Sequence, residues 1–492
     1  MGRDVPAIVV SHADRRRYRE KVRRCLDVFA RMLHESRFTD GTEQVGLEVE
    51  FNLVDEAGSP FMRNADVLAA IGDPGWSPEL GRFNVEVNLP PRPLTGDALA
   101  TLERLMEDSY SHADQRARES GSRLAMIGIL PSLREHHATE EAMSPNPRYR
   151  LLNEQICVAR GEEMQIFIEG PERLLTHVAS IMPEAACTSV QCHLQVSPET
   201  FGSYWNAAQA VAGVQVAVAA NSPYLFGREL WQETRIPLFE QAIDTRPAEL
   251  EVQGVRPRVW FGERWITSVF DLFEENLRYF PALLPLCEDE DPVAELNGGG
   301  IPELAELTLH NGTVYRWNRP VYAVAGGEPH LRVENRVLPA GPTVTDVVAN
   351  AAFYYGLVHM LAEAERPIWS RMSFAAAHDN LMEGARHGIE ARLYWPGLGE
   401  VPAAELTLRR LLSLAFEGLC QRGVDTVESE RLLGVIEQRC LSGRTGATWQ
   451  TETVHALEEH SGLDRDTALR EMTQRYLKLM QTGEPAHTWP VA

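Results

Sequence analysis

Glu48 and Glu50 stand two residues apart in the segment Val45–Asn52. On an extended strand that spacing puts both carboxylates, with Asn52, on one face and Leu47, Val49 and Phe51 on the other. Three more segments repeat the pattern. Leu80–Asn88 gathers Arg82, Asn84, Glu86 and Asn88; Ser189–Val196 gathers Gln191, His193 and Gln195; Leu331–Val337 gathers Arg332, Glu334 and Arg336. Laid side by side, the four strands would carry Glu48, Glu50, Glu86 and Glu334, one histidine and three arginines on a single sheet face. Carboxylate oxygens suit Mg²⁺, whose shell is commonly completed by substrate phosphates. The nitrogen of His193 would also admit Mn²⁺. Arginine is the residue for bidentate recognition of phosphate or carboxylate, and Arg235, Arg319, Arg332 and Arg336 are the candidates. Ordinary solvent-facing strands differ from these, since Glu is depleted in strands and none of the four contains a Lys.

The elements that must position these groups are readable in outline. Helices are predicted over 12–36, 99–119, 203–220 and 268–285, and strands over 45–54, 80–89, 124–130, 165–168 and 189–196. A short helix and two strands are expected over 303–338. Segment 131–161, rich in His, Pro and Arg, reads as an irregular loop over a site, and 221–265 as a linking stretch. From Thr343 onward helix follows helix, at about 343–365, 376–390, 403–422, 427–441, 450–461 and 465–481. The expected division is a catalytic part, residues 1–370, and a helical C-terminal extension, residues 371–492, packed on it.

Composition narrows the function. The chain has 492 residues and a net charge of −23, which argues against a nucleic-acid or anionic-membrane partner. An acidic protein that handles anionic substrates needs cations and a local arginine cluster. Seven cysteines without CxxC spacing give neither a zinc site nor a disulfide framework, and reduced thiols point to the cytoplasm. The first twenty residues lack an apolar stretch, so no secretory signal is expected. The longest apolar run, 207–220, is too short to span a membrane. No GxxxxGK[ST], HExxH or GxSxG motif is present, so nucleotide chemistry, if used, must run through metals on a sheet.

In this order along the chain, the motifs resemble the glutamate–cysteine ligase family in its bacterial carboxylate–amine ligase branch. Gly46-Leu47-Glu48-Val49-Glu50-Phe51 is similar to the family's opening acidic strand. Glu79 to Pro91 resembles its second, ending in paired prolines. Gln191 to Val196, Ala219 to Gly227, Thr234-Arg235-Ile236, His310 to Arg319 and Leu331 to Arg336 resemble later family segments. The resemblance implies an α+β, glutamine synthetase-like fold: an antiparallel sheet funnel covered by helices, here with an all-helical C-terminal appendage. It implies ATP with two or three Mg²⁺, and amide formation through an acyl phosphate, with the γ-carboxyl of glutamate and the amine of cysteine as type substrates. By matching position, Glu48, Glu50, Glu86, His193 and Glu334 would be metal ligands. Arg319 and Arg336 would hold the γ-phosphate, and Arg235 would bind the acid or phosphate. A homo-oligomer is compatible with this reading. Three rivals stay open: a ligase of the same fold using another acid or amine, a metal-dependent hydrolase, and a non-catalytic binding or assembly protein.

Overall fold

A computed structural model describes residues 11–38 and 43–491. Residues 1–10, where part of the signal reading falls, lie outside the described residues. The architecture is built on one antiparallel sheet, and its strand order shows why the four polar-faced segments meet. Strand β1 (Gln44–Val54) lies at the centre. Around it lie β2 (Trp76–Pro78), β3 (Asn84–Asn88), β4 (Ser189–Val196), β5 (Asn318–Ala325) and β6 (Glu328–Pro339). The order across the sheet is β5-β6-β4-β1-β3-β2, with two short strands, Arg92–Pro93 and Arg123–Ala125, also pairing with β1. Register does the rest. Glu50 sits opposite Glu86 and Glu48 opposite Gln191. Glu334 sits opposite His193 on one side and Arg319 on the other. Directly opposed residues share a face, so the polar groups collect on one side.

The other face is apolar. Leu47, Val49, Phe51, Val85, Cys192, Leu194 and Val333 are buried there. Helices α1 (His12–His34), α2 (Ala98–Glu119), α3 (Pro147–Arg160), α4 (Phe201–Ala219) and α5 (Val344–Ala362) surround the sheet. Both α4 and α5 are buried almost all round, as helices hydrophobic on every side must be. The Tyr355 hydroxyl of α5 donates to the Gly46 carbonyl at 2.8 Å, tying helix to sheet under the site.

Three expectations need correction. Segment 131–161 is not irregular throughout: Pro147 at the first turn and Asn146 as N-cap, accepting from the Arg148 amide at 2.8 Å, start the helix α3. The buried run 124–130 is strand only over Arg123–Ala125. The stretch 221–265 contains the helices Arg235–Ala242 and Ala248–Val252. The expected strand at 165–168 is one arm of a hairpin, Met164–Glu169 with Arg173–Val178.

The helices expected after Thr343 all form, and one hairpin, Arg392–Trp395 with Gly399–Pro402, is set among them. Helix α6 (Phe374–His387) packs on α4 backbone to backbone: a Cβ at Gly213 would strike the Asn380 carbonyl, and one at Gly384 the Gly213 carbonyl. Buried Arg439, in the helix Thr426–Ser442, bonds Asp346 of α5 at 2.7 Å and Asn350 at 2.6 Å. Gly213→Val should therefore cost about 3 kcal/mol or more, because backbone cannot yield as a side chain does. Gly434→Ala, which meets nothing within 4 Å inside a helix, should gain about 0.5–1 kcal/mol. Urea unfolding of both variants checks the pair.

Candidate active site

The polar face of the sheet floors a cavity of about 1060 Å³. At its centre Glu334, 1% exposed, is gripped from two sides. Arg319 donates to its two oxygens at 2.8 and 3.0 Å, and Arg336 reaches Oε1 at 2.5 Å. Burial alone would keep this carboxyl protonated, but the two guanidinium groups outweigh it and hold Glu334 well below the usual range. In return Glu334 raises the pKa of Arg336 despite burial.

The network continues strand by strand. Arg336 donates to Gln191 Oε1 at 2.6 Å, and Gln191 passes the contact on through Nε2 to Glu50 Oε1 at 3.0 Å. The Ser189 amide donates to the other Glu50 oxygen at 2.6 Å. On the neighbouring strand Glu48 Oε1 lies 3.0 Å from His193 Nε2. Burial opposes ionisation of Glu48, yet the charge and hydrogen bond of His193 bring it down to about 2. Arg332 Nε donates to His193 Nδ1 at 3.0 Å, which turns the Nε2 edge of the ring toward Glu48.

A second acidic group forms where β1, β2 and β3 meet. Glu50, Glu79 and Glu86 each offer an oxygen, and the three atoms lie within 4.8 Å of one another. Repulsion at that spacing is about 3–4 kcal/mol per pair of full charges at an effective dielectric near 20. Burial first, then Glu48 and Glu50, push Glu86 up to about 8. Burial and Glu86 raise Glu79 well above the usual range, and burial raises Glu50. Two buried carboxyls and one half-buried one that cannot all ionise are a donor set that fits a divalent cation, which would supply the missing positive charge.

The metal-ligand and phosphate-binding candidates read from the sequence lie at or beside this cavity, with different surroundings, whereas Arg82 precedes β3, is exposed and donates to the Glu141 carbonyl instead of joining the polar face. Glu48, Glu50, Glu86, Glu334, Arg319 and Arg336 line it, and His193 stands just behind Glu48. Arg235 also lines it, but its guanidinium is engaged elsewhere: Nη2 donates to the Val337 carbonyl at 2.6 Å and Nε to the Glu233 carboxylate at 3.2 Å. It braces β6 where the register shifts between Asn335 and Leu338. Sequence reasoning missed Glu79, Glu184 and Arg148, all of which line the cavity. Glu79 sits just beyond β2, outside the alternating pattern of the strands; Glu184 and Arg148 lie off the sheet and left no periodic signal.

Residues 44–469 match the Glutamate-cysteine ligase family 2 (GCS2). The chain belongs to that family. It is an ATP-dependent carbon–nitrogen ligase that joins a carboxylate to an amine. Among solved structures, glutamate–cysteine ligase from Francisella tularensis in complex with AMP shares the fold at a TM-score of 0.53 and 11% identity, over 93% of this chain and 91% of that one. A bifunctional glutathione synthetase from Pasteurella multocida aligns at a TM-score of 0.52 and 12% identity, over 93% of this chain but 55% of that one. No curated protein matches the sequence. The fold of the ligase is the antiparallel sheet with covering helices expected from the sequence. No described helix is long and apolar enough to cross a membrane.

The raised carboxyls of the ligase make a pH prediction. In the metal-free protein Glu86 stays protonated up to about pH 8, whereas its unfolded counterpart ionises near 4.5. Stability should then fall as pH rises from about 4.5 to about 8, because the unfolded chain releases the proton first. Added Mg²⁺ or Mn²⁺ should bind more tightly as pH rises through this window and release about one proton or more at pH 7. Glu86→Gln should flatten the stability slope. Thermal melts and an indicator-dye assay of proton release read these outcomes.

Proposed function

We propose that the ligase forms an amide from an amino-acid carboxyl and an amino-acid amine through an acyl phosphate, with glutamate as acid and cysteine as amine in the type reaction. The observation that carries this reading is Glu334 held between Arg319 and Arg336 on the floor of a deep acidic cavity. A phosphoryl group in flight spreads charge over its equatorial oxygens and needs fixed positive charge more than covalent help. Arg319 and Arg336 have guanidinium edges beside Glu334 and can turn them to a γ-phosphate. Glu334 keeps both side chains extended and preorganised while the site waits.

Glu48, Glu50, Glu86, His193 and Glu334, joined by Glu79, would hold two or three Mg²⁺, with Mn²⁺ a substitute at the histidine. When bound, these ions supply charge that screens the phosphates and the leaving ADP. Arg332 orients the His193 ring and Ser189 and Gln191 orient Glu50, so these side chains are positioned before substrate arrives. The cavity walls exclude water from the acyl phosphate, whose hydrolysis would waste ATP. Arg235 bears on the site by bracing β6 beside Arg336, in addition to any contact with the acid or phosphate. Seven free cysteines and a need for ATP suit a cytoplasmic setting. We further propose that residues 371–492 act as a helical extension that stiffens the core.

A metal-dependent hydrolase would leave Arg319 and Arg336 without a task, which favours ligation. ADP formation from ATP and Mg²⁺ should depend on both an acid and an amine. Arg336→Ala and Glu48→Ala should each cut it by about 10²–10³-fold or more with the fold retained by circular dichroism. Near-normal turnover in both variants, or ADP formation indifferent to acid and amine, refutes the reading.

A further inference from the structure

The sheet face turned away from the cavity is largely apolar, yet two amides sit on it directly behind the phosphate-handling arginines. Asn318 begins β5, next to Arg319, and stands opposite Asn335 of β6, which lies between Glu334 and Arg336. Strand side chains alternate, so both amides point away from the cavity, toward α4. That helix meets them with Gln209 and Gln215, and all four side chains are buried. They form one chain of hydrogen bonds. Asn335 and Gln215 exchange a reciprocal pair, Gln215 Nε2 to Asn335 Oδ1 and Asn335 Nδ2 to Gln215 Oε1, both at 3.2 Å. Asn335 Nδ2 also donates to Asn318 Oδ1 at 2.8 Å, Asn318 Nδ2 to Gln209 Oε1 at 2.7 Å, and Gln209 Nε2 to the Phe261 carbonyl. One turn earlier on α4, the Trp205 indole donates to the Asn318 carbonyl at 2.9 Å.

The position of this chain in the hairpin gives it a consequence for the site. β5 and β6 are joined by the two-residue turn Gly326-Gly327, which fixes their register at that end. Asn318 and Asn335 form the last pair at the other, open end. Just beyond, between Asn335 and Leu338, β6 shifts register against β4, so Arg336 leaves the regular ladder. Apolar contact is non-directional and would let this end slide and twist against α4. Hydrogen-bonded amides fix distance and angle. The tie is also cooperative, because breaking one link leaves other buried donors and acceptors unpaired.

We propose that Gln209, Gln215, Asn318 and Asn335 are positioning residues: their amide chain locks the open end of the β5–β6 hairpin to α4 and so sets Arg319 and Arg336 at the separation from which both reach one phosphoryl group. The amides touch neither substrate nor metal and act through the two arginines. This rests on the ligase reading above.

The test uses full-length protein with ATP, Mg²⁺, glutamate and cysteine, and follows ADP formation. Asn335→Leu keeps the volume and breaks the chain. Its kcat should fall about 10–10²-fold, the effect of a misplacement of about 1 Å, while KM for ATP and glutamate stays within a few-fold. A second variant separates positioning from stability. Replacing the whole chain at once, with Gln209→Met, Gln215→Met, Asn318→Leu and Asn335→Leu, removes the unpaired amides together, so the melting temperature should return toward the wild-type value. Its kcat should stay low, because the directional tie is gone. If Asn335→Leu does not fold, the fourfold variant decides alone. Wild-type kcat in the fourfold variant, or a loss in Asn335→Leu that falls on KM with kcat unchanged, overturns the positioning role and leaves the ligase reading in place. If the wild type forms no ADP with any acid and amine, the ligase reading falls and takes this role with it.

Discussion

The structure turns on charge compensation at one sheet face. Glu48, Glu50, Glu86 and Glu334 come from three strands of one sheet held in fixed register, so their carboxylates gather on one poorly solvated floor. Left alone they would repel one another and take up protons. Two solutions coexist in the same cavity. Around Glu334 and Glu48 the protein provides its own partners, Arg319, Arg336 and His193, and the carboxyls are driven to the ionised form. Around Glu86 and Glu79 no arginine, lysine or histidine among the described residues forms an ion pair with them, and the carboxyls are driven to the neutral form. The contrast divides the cavity into a preorganised anion-handling half and a half whose negative charge waits for cations.

That division explains much of what surrounds the sheet. A face crowded with charge cannot contribute apolar burial, so the opposite face and two wholly buried helices, α4 and α5, must do so. Their close approach to the rest of the fold demands glycine where main chains touch, as at Gly213 and Gly384. The C-terminal helices add a buried ion pair, Arg439 with Asp346, beneath the same core. Such a pair is costly to break once buried, by about 3–5 kcal/mol, which ties the tail to the helix that supports β1. Arg235, buried against the backbone of β6, fixes the irregularity that sets Arg336 at its working position.

Local order carried the sequence reading where periodicity was strict. The alternation in β1, β3, β4 and β6 marked the reactive face, because a strand has a period of two and its polar side can be counted. Helical periodicity likewise marked α1, α2, α4 and the tail helices to within a few residues. Reading failed where no period exists. Histidines and prolines between 131 and 161 concealed α3, although Asn146-Pro147 is a fair N-terminal signal for a helix. Glu79 sits beyond the end of a three-residue strand, too short for alternation to show.

The amino-acid order by itself determined which side chains share a face, because that follows from backbone geometry within a single strand. It also determined the chemistry those faces could support, since carboxylate, imidazole and guanidinium in alternation suit cations and phosphate. Tertiary structure decided which strands are neighbours and in what register, and so which carboxyl meets an arginine and which meets only another carboxyl. It also brought Glu184 and Arg148 to the cavity from elements off the sheet. Those outcomes depend on contacts between residues far apart in the chain, and electrostatic coupling falls off over a few ångströms of space without regard to distance along the sequence.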